Sequence, residues 1–272
     1  MQSKKRNLRI LEVLGILLAL LWLFPFYLMV TNAFKTNKEI FANVMSIPSD
    51  PTIDNFIQAF IDLNFMNSLF NSLLITIISI LLIVIFSSMA GYALARNKSR
   101  LSGVILLLFV AAMLIPFQSV MITLVSLFGQ FDFLDRFGLI FMYLGFGCSL
   151  AIFLYHGAMT GISKSLDESA TIDGANKFQI FYHIIFPLLK PISVTVAILN
   201  MIWIWNDFLL PSLVLSDAEA TIPLSMFQFF GQYTRQWHLA LAGLTIAIIP
   251  VIVFYFIAQK QIVKGVAEGA VK

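Results

Sequence analysis

NSLFNSLLITIISILLIVIFSSMAGYALA, from Asn67 to Ala95, decides the fold of this chain. Its 29 residues carry no charge, and a helix rising about 1.5 Å per residue over that length crosses a hydrocarbon core of roughly 30 Å. Buried strands are far shorter. Five similar apolar runs accompany it, near Ile10 to Thr31, Leu101 to Gly129, Phe137 to Gly161, Pro191 to Leu213 and Leu239 to Lys260. Composition agrees: 60% of the 272 residues are hydrophobic and 11% charged, against about 45–50% and ~25% in soluble domains. These features define an all-α, polytopic membrane protein with six transmembrane helices.

The first run follows the basic residues Lys4, Lys5, Arg6 and Arg9. It is longer than the h-region of a cleaved signal and lacks a small-x-small cleavage pattern after it, so a retained signal anchor is expected. The single cysteine, Cys148, lies inside the fourth run and reads as a small packing residue; it allows neither a disulfide framework nor a Cys-based metal site within the chain. With the N-terminus inside the cell, thirteen of the seventeen Lys and Arg fall on inside segments. Lys35, Lys38, Arg136 and Arg235 fall outside. This split satisfies the positive-inside rule and places both termini in the cytoplasm. The net charge of +3 then reports topology and gives no sign of a nucleic-acid partner.

Between the first two runs, an outside segment carries turn chemistry at Pro48-Ser49-Asp50-Pro51 and an amphipathic piece, Asp54 to Leu63. Phe56, Ile57 and Phe60 share one face of that piece, suited to the outer mouth or the interface. Arg96 to Arg100 is short enough to make helices two and three antiparallel neighbours. Phe131 to Arg136 is a short outside turn, whereas Ser212 to His238 is a longer outside loop. Pro116, in the middle of the third run, removes a backbone hydrogen bond and predicts a kink beside a cavity. Pro25 predicts a bend near the outer end of the first helix, and Pro187 and Pro191 flank the entry to the fifth. The expected organisation is an N-terminal helix with its outside segment over 1–66, a transmembrane core over 67–260 and a cytoplasmic tail over 261–272.

One stretch breaks the apolar pattern: ESATIDGANKFQIFYHIIFP, Glu168 to Pro187, within a segment too polar to span a membrane and too long for a turn. Asp167 and Glu168 suit a helix N-terminus, and Gly174 can supply the positive-φ turn that ends it. Beyond it, Phe178, Ile180, Phe181, Ile184 and Ile185 give a second helical apolar face ending at Pro187. A helix, a turn and a second helix form a cytoplasmic ledge over about 163–187.

These residues carry a resemblance. Glu168-Ser169-Ala170, Asp173-Gly174-Ala175, Ile184 and Pro187 are similar at matching spacing to the EAA motif of permease subunits of bacterial ABC importers, with Ser169 and Phe186 as conservative departures. Further residues resemble the second, six-helix permease of maltose-type carbohydrate importers: Asn67-Ser68 with Asn71-Ser72, Gly91-Tyr-Ala-Leu-Ala-Arg96, Ile115-Pro116, Trp205-Asn206-Asp207-Phe208 and the tail Gly265 to Lys272. The resemblance implies a type I ABC importer permease fold in the bacterial inner membrane. It implies a second homologous permease, two ATP-binding subunits that carry the ATP and Mg, and an extracellular or periplasmic solute-binding protein. By the same resemblance, the motif forms coupling helices docked in a cleft of the ATP-binding subunit, with Glu168 paired to a basic residue there.

No G-x-x-x-x-G-K-[ST] loop occurs, so the energy source must be another polypeptide. His156, His183 and His238 lie too far apart for metal-ligand spacing, and no Ser-His-Asp set is supported; the chain reads as a non-enzyme without a cofactor or metal of its own. On helix five, Asn200, Trp203 and Asp207 recur at i, i+3 and i+7 with Asn206 beside them. This polar face either lines a substrate pathway or ties helices together. Gln118, near the Pro116 kink, is a further pathway candidate. The substrate class expected is a sugar, with an uncharged oligosaccharide preferred because no basic cluster occupies the membrane centre. Glycerol phosphate or another polyol, and an ion-coupled secondary transporter with Asp207 as its acid, remain the alternatives.

Overall fold

The computed structural model describes residues 2–230 and 236–270, with side chains at residues 9, 11–230, 236–256 and 259. The predicted tail motif Gly265 to Lys272, together with Lys4, Lys5, Arg6, Arg235, Lys260 and Lys264, lies outside those side chains. In chain order the helices are α1 (Gln2–Ala33), α2 (Asn37–Ala42), α3 (Asp54–Asp62), α4 (Phe65–Arg96), α5 (Arg100–Ala112), α6 (Phe117–Gly129) and α7 (Arg136–Met159). They continue as α8 (Ser165–Ile172), α9 (Lys177–Gln179), α10 (Phe186–Leu188), α11 (Lys190–Asn206), α12 (Leu209–Val214), α13 (Ile222–Met226) and α14 (Trp237–Ala270). A π-helical turn, Ile180–Ile185, joins α9 to α10.

Among the described residues, four stretches are long and apolar enough to cross a bilayer alone: Leu11–Ala33, Phe65–Arg96, Arg136–Met159 and Trp237–Phe256. Two more are broken spans, and counting each bent pair once gives up to 6. The expected single kinked helix from Leu101 to Gly129 is instead two helices, α5 and α6, meeting at 101°. Pro116 explains the size of the bend. Its ring disfavours helical geometry at Ile115, and Pro116 itself is extended at φ −67°, ψ 137°, so the chain turns at Met113–Ile115 before α6 restarts. The second bent pair is Lys177–Leu188 with α11, meeting at 75°. Separately, the expected fifth helix, Pro191 to Leu213, ends early: α11 stops at Asn206, Asp207 is extended, and α12 follows.

The chain forms two compact units, residues 1–65 with 225–253 and residues 66–224 with 254–272. In the first unit α1 is exposed on every side from Leu11 to Tyr27 and buried only at Asn32 and Ala33, and Pro25 lies inside the helix without ending it. The segment after α1 is held by polar contacts. Lys35, fully buried, donates from Nζ to Asn32 Oδ1 at 3.0 Å, Asn43 O at 3.0 Å and Ser46 Oγ at 3.2 Å. Asn55 Nδ2 donates to the carbonyls of Ala33 and Lys35, each at 2.8 Å, and so anchors α3 by its polar side. The buried face of α3 is therefore Asn55 and Ala59, continued by Leu63, whereas Ile57 and Phe60 of the predicted apolar face point out. A capping box between Thr36 and Glu39 starts α2. The Ser49 hydroxyl, then the Thr36 and Ser49 backbone N–H groups, hold the Glu39 carboxyl below its ordinary pKa.

The second unit is built around α7, against which α5, α11 and α12 pack. Leu139, Tyr143, Ala151, Tyr155 and Met159 are buried with Ile75 and Ile83 of α4 and Val196 and Ile204 of α11. Small residues let the helices approach: a Cβ at Gly91 would lie 2.6 Å from Tyr155 Cβ, and one at Gly147 would lie 2.4 Å from Ile83 Cδ1. Contacts at both ends fix direction. Arg136 Nη1 donates to Asn71 Oδ1 at one end, and Arg96 Nη1 donates to the Ile162 carbonyl at the other, so α4 and α7 run parallel. Tyr155 donates to Ser193 Oγ and Tyr143 to Asp207 Oδ2, which makes α11 antiparallel to α7.

Candidate functional site

The ledge begins with α8, whose first turn holds Asp167 and Glu168, acids that complement the positive end of the helix dipole. It ends as the sequence predicts, at Gly174 with φ +85°. Gly174 N–H donates to the Thr171 carbonyl at 3.1 Å and Ala175 N–H to the Ala170 carbonyl at 3.0 Å, the paired bonds of a Schellman stop. This geometry explains the spacing of the motif: Ala170 supplies the buried position and acceptor, Gly174 the left-handed residue, Ala175 the returning donor. Asn176 then opens the next helix. Its Oδ1 accepts from Gln179 N–H at 3.0 Å while Gln179 Oε1 accepts from Asn176 N–H at 2.8 Å, a reciprocal capping box.

The second helix of the ledge departs from a regular α period. Phe186 N–H bonds to the Phe181 carbonyl five residues back. Pro187, next in the chain, has no N–H to offer, and the wider π turn moves the preceding carbonyls away from its ring. The change of period reorders the predicted apolar face. Ile180 and Ile185 are buried and Phe181 and Ile184 half-buried, but Phe178 is 74% exposed, alongside Ile172 at 86% and Tyr182 at 67%. Glu168, Ser169, Asp173 and Pro187 are exposed, Ala170 is buried and Ala175 half-buried. The ledge thus presents a mixed apolar and acidic surface.

Its inner side is tied to the last turn of α4. Tyr92 donates to Asp167 Oδ1 at 2.6 Å, and Arg96 Nη2 pairs with Asp167 Oδ2 at 2.8 Å. Sequence reasoning placed Asp167 only as a helix-start acid. Its partners lie some seventy residues away on another helix, and no periodicity links the two; the sole signal is the Tyr and Arg in the Gly91–Arg96 motif.

The five predicted pathway residues do not converge. A cavity of about 630 Å³ opens beside the Pro116 break, as expected, and Asn200 and Trp203 border it with Met113, Phe117, Phe146 and Leu199. Asn200 is buried and donates to the Val196 carbonyl; Trp203 packs edge-on to Tyr143 at 5.3 Å. Gln118 is exposed on the first turn of α6 and Asn206 is exposed at the end of α11, donating to its own helix at Ile202. Asp207 has left the helix, so the i+7 relation fails. Its Oδ2 accepts from Tyr143 and its Oδ1 from Leu209 N–H at 3.0 Å, an Asx turn that launches α12.

Comparison with known proteins agrees with this architecture. Residues 83–268 match the family described as "Binding-protein-dependent transport system inner membrane component". The chain is 54% identical to the "probable starch degradation products transport system permease protein AmyC" of Thermoanaerobacterium thermosulfurigenes, covering 97% of this chain and 96% of that protein. It is 33% identical to the melibiose/raffinose/stachyose import permease protein MelC of Bacillus subtilis, covering 99% of each. In structure it aligns with a chain of a bacterial ABC transporter involved in the import of the acidic polysaccharide alginate, with a TM-score of 0.80 at 22% identity over 96% of this chain and 98% of that one. The fold is that of an ABC importer permease, a multi-pass membrane subunit that is not an enzyme. The chain belongs to the family of binding-protein-dependent transport system inner membrane components.

Proposed function

We propose that this chain is one of two permease subunits that carry an uncharged oligosaccharide into the cell by alternating access. ATP and Mg are bound on two partner subunits, and a solute-binding protein delivers the sugar from outside. The observation that carries the reading is the ledge, a rigidly capped pair of short helices with Glu168, Ile172, Phe178 and Tyr182 turned outward, in a chain without a phosphate-binding loop. Glu168, Ser169, Ala170, Asp173, Gly174, Ala175, Ile184 and Pro187 couple it to the ATP-binding subunit, some by contact and some by shaping the turn. Both termini lie in the cytoplasm, consistent with Arg96 and Lys164 gathering at the ledge end of α4 and Arg136 at the opposite end.

The sugar class is supported by the relatives, one named for starch degradation products and another for melibiose, raffinose and stachyose. Among the described residues no Lys or Arg borders the cavity at the Pro116 break, a lining unsuited to a phosphorylated polyol. Within it, Asn200 and Trp203 offer an amide and an indole face, the groups that hydrogen-bond and stack on sugars. Reconstitution tests the reading. Liposomes holding the full complex, with binding protein and internal ATP, should take up labelled maltodextrin or raffinose, whereas the lone chain should neither bind ATP nor transport. Uptake by the lone chain would sink the assignment.

A further inference from the structure

The two acids in the first turn of α8 part company. Glu168 is exposed on the outer surface, while Asp167 turns back to α4, where the Arg96 and Asp167 side chains are only 15% and 17% exposed. Both Asp167 carboxylate oxygens are engaged, Oδ1 by the Tyr92 hydroxyl and Oδ2 by the Arg96 guanidinium. Arg96 also stacks over the Tyr92 ring at 5.9 Å and donates from Nη1 to the Ile162 carbonyl at 3.1 Å. Lys164 Nζ returns the contact to the Arg96 carbonyl at 3.5 Å, placing a cation at the C-terminal end of α4. A pair so far removed from water resists the solvent competition that makes exposed ion pairs weak.

Around this cluster the ledge and α4 are separated by open space. A groove of about 640 Å³ runs between Met89, Tyr92 and Ala93 on one side and Glu168, Thr171 and Phe178 on the other. Sideways force on the ledge therefore reaches α4 through the polar cluster and the Tyr92–Phe181 ring contact at 5.4 Å. α4 has 32 residues, a rod of about 48 Å. At its far end Asn71 accepts from Arg136 and donates to the Ala220 carbonyl, so movement of the rod is felt at both ends of the unit.

We infer that Asp167, Arg96 and Tyr92 form a clamp that transmits movement of the ledge to α4, with Asp167 acting as a positioning residue separate from the docking surface around Glu168. The inference rests on the permease reading above. Because the clamp's polar atoms are engaged with one another and with α4, while Glu168 is exposed, breaking the clamp should uncouple the machine while leaving the ATP-binding subunits attached.

The test uses the complete complex in liposomes with its binding protein, and measures copurification, stimulation of ATP hydrolysis by sugar-loaded binding protein, and sugar carried per ATP. Asp167→Asn keeps an acceptor for Tyr92 but loses the charge. It should copurify with its partners and lose roughly tenfold of the stimulation, within the range of ordinary coupling energies, with a matching fall in sugar per ATP. Tyr92→Phe, a milder change, should show a smaller loss in the same ratio. The exchange Arg96→Asp with Asp167→Arg should recover coupling beyond either single variant. Wild-type stimulation and sugar per ATP in Asp167→Asn would overturn the clamp, as would reduced complex yield with normal coupling per surviving complex, or an exchange no better than the singles. A wild-type complex unresponsive to binding protein would instead overturn the permease reading itself.

Discussion

Replacing Gly174 separates the shape of the ledge from its chemistry. At φ +85° the residue sits in the left-handed region, and a Cβ built there meets nothing within 4 Å. The cost of a side chain is thus conformational: about 1–2 kcal/mol for an ordinary L-residue, least for Asn, whose short polar side chain tolerates this region, and greatest for a β-branched residue. That cost is a roughly five- to thirtyfold shift against the native turn. If the turn yields, the bonds from Gly174 N–H to Thr171 and from Ala175 N–H to Ala170 are lost, and α9 leaves at a different angle. The expected order of damage is Gly174→Asn, then Gly174→Ala, then Gly174→Val, read as binding-protein-stimulated ATPase in the purified complex. Membrane insertion should be unchanged, since no span is altered. Equal activity across the three variants and wild type would refute the view that this turn sets the position of the ledge.

Two other regions give independent tests. Lys35→Met keeps the length of the side chain but withdraws the donor shared by Asn32 Oδ1, Asn43 O and Ser46 Oγ, at a cost of about 1–3 kcal/mol for buried acceptors left unpaired. Faster amide hydrogen exchange over 36–46 should follow, and unchanged exchange would show that Lys35 does not hold this segment. Asp207→Ala removes both the Tyr143 bond and the Asx turn, and should cost about 2–4 kcal/mol and lower the yield of intact complex. Trp203→Ala, on the cavity wall, should instead lower uptake per complex at normal yield; the opposite pattern for the pair would return Asp207 to the pathway and assign Trp203 to packing.

The spans were legible because bilayer crossing depends on length and hydropathy, both properties of a single stretch of chain. Asn67 to Ala95 needs no partner to be read as a helix, and α4 contains all of it. The Schellman stop was equally local: an acidic start, a small buried residue and a glycine at fixed spacing. α3 misled because the side it buries is chosen by Asn55, whose amide reaches two carbonyls about twenty residues earlier, while on the apolar face that periodicity picks out Phe56 meets the Phe34 ring, Phe60 the Phe65 ring, and Ile57 stays exposed. In a membrane protein the larger apolar side is free to face outward, so amphipathicity marks a face without saying what covers it.

Asp207 shows a different limit. Helical spacing joins it to Asn200 and Trp203 only while the helix continues, and its own carboxylate helps to stop it by bonding to Leu209 N–H two residues on. The residue that looked most like an intramembrane functional acid is also the residue most able to end the helix on which that reading depended. A local signal for the stop was present, since Pro211 falls in the first turn of α12, where a missing N–H costs nothing. Read together, Asp207 and Pro211 mark a break and restart, and the polar face of α11 shortens to Asn200 and Trp203. Those two residues meet the cavity beside the Pro116 break between α5 and α6, so that break and the shortened polar face of α11 bound the region in which an oligosaccharide path through this subunit is to be sought.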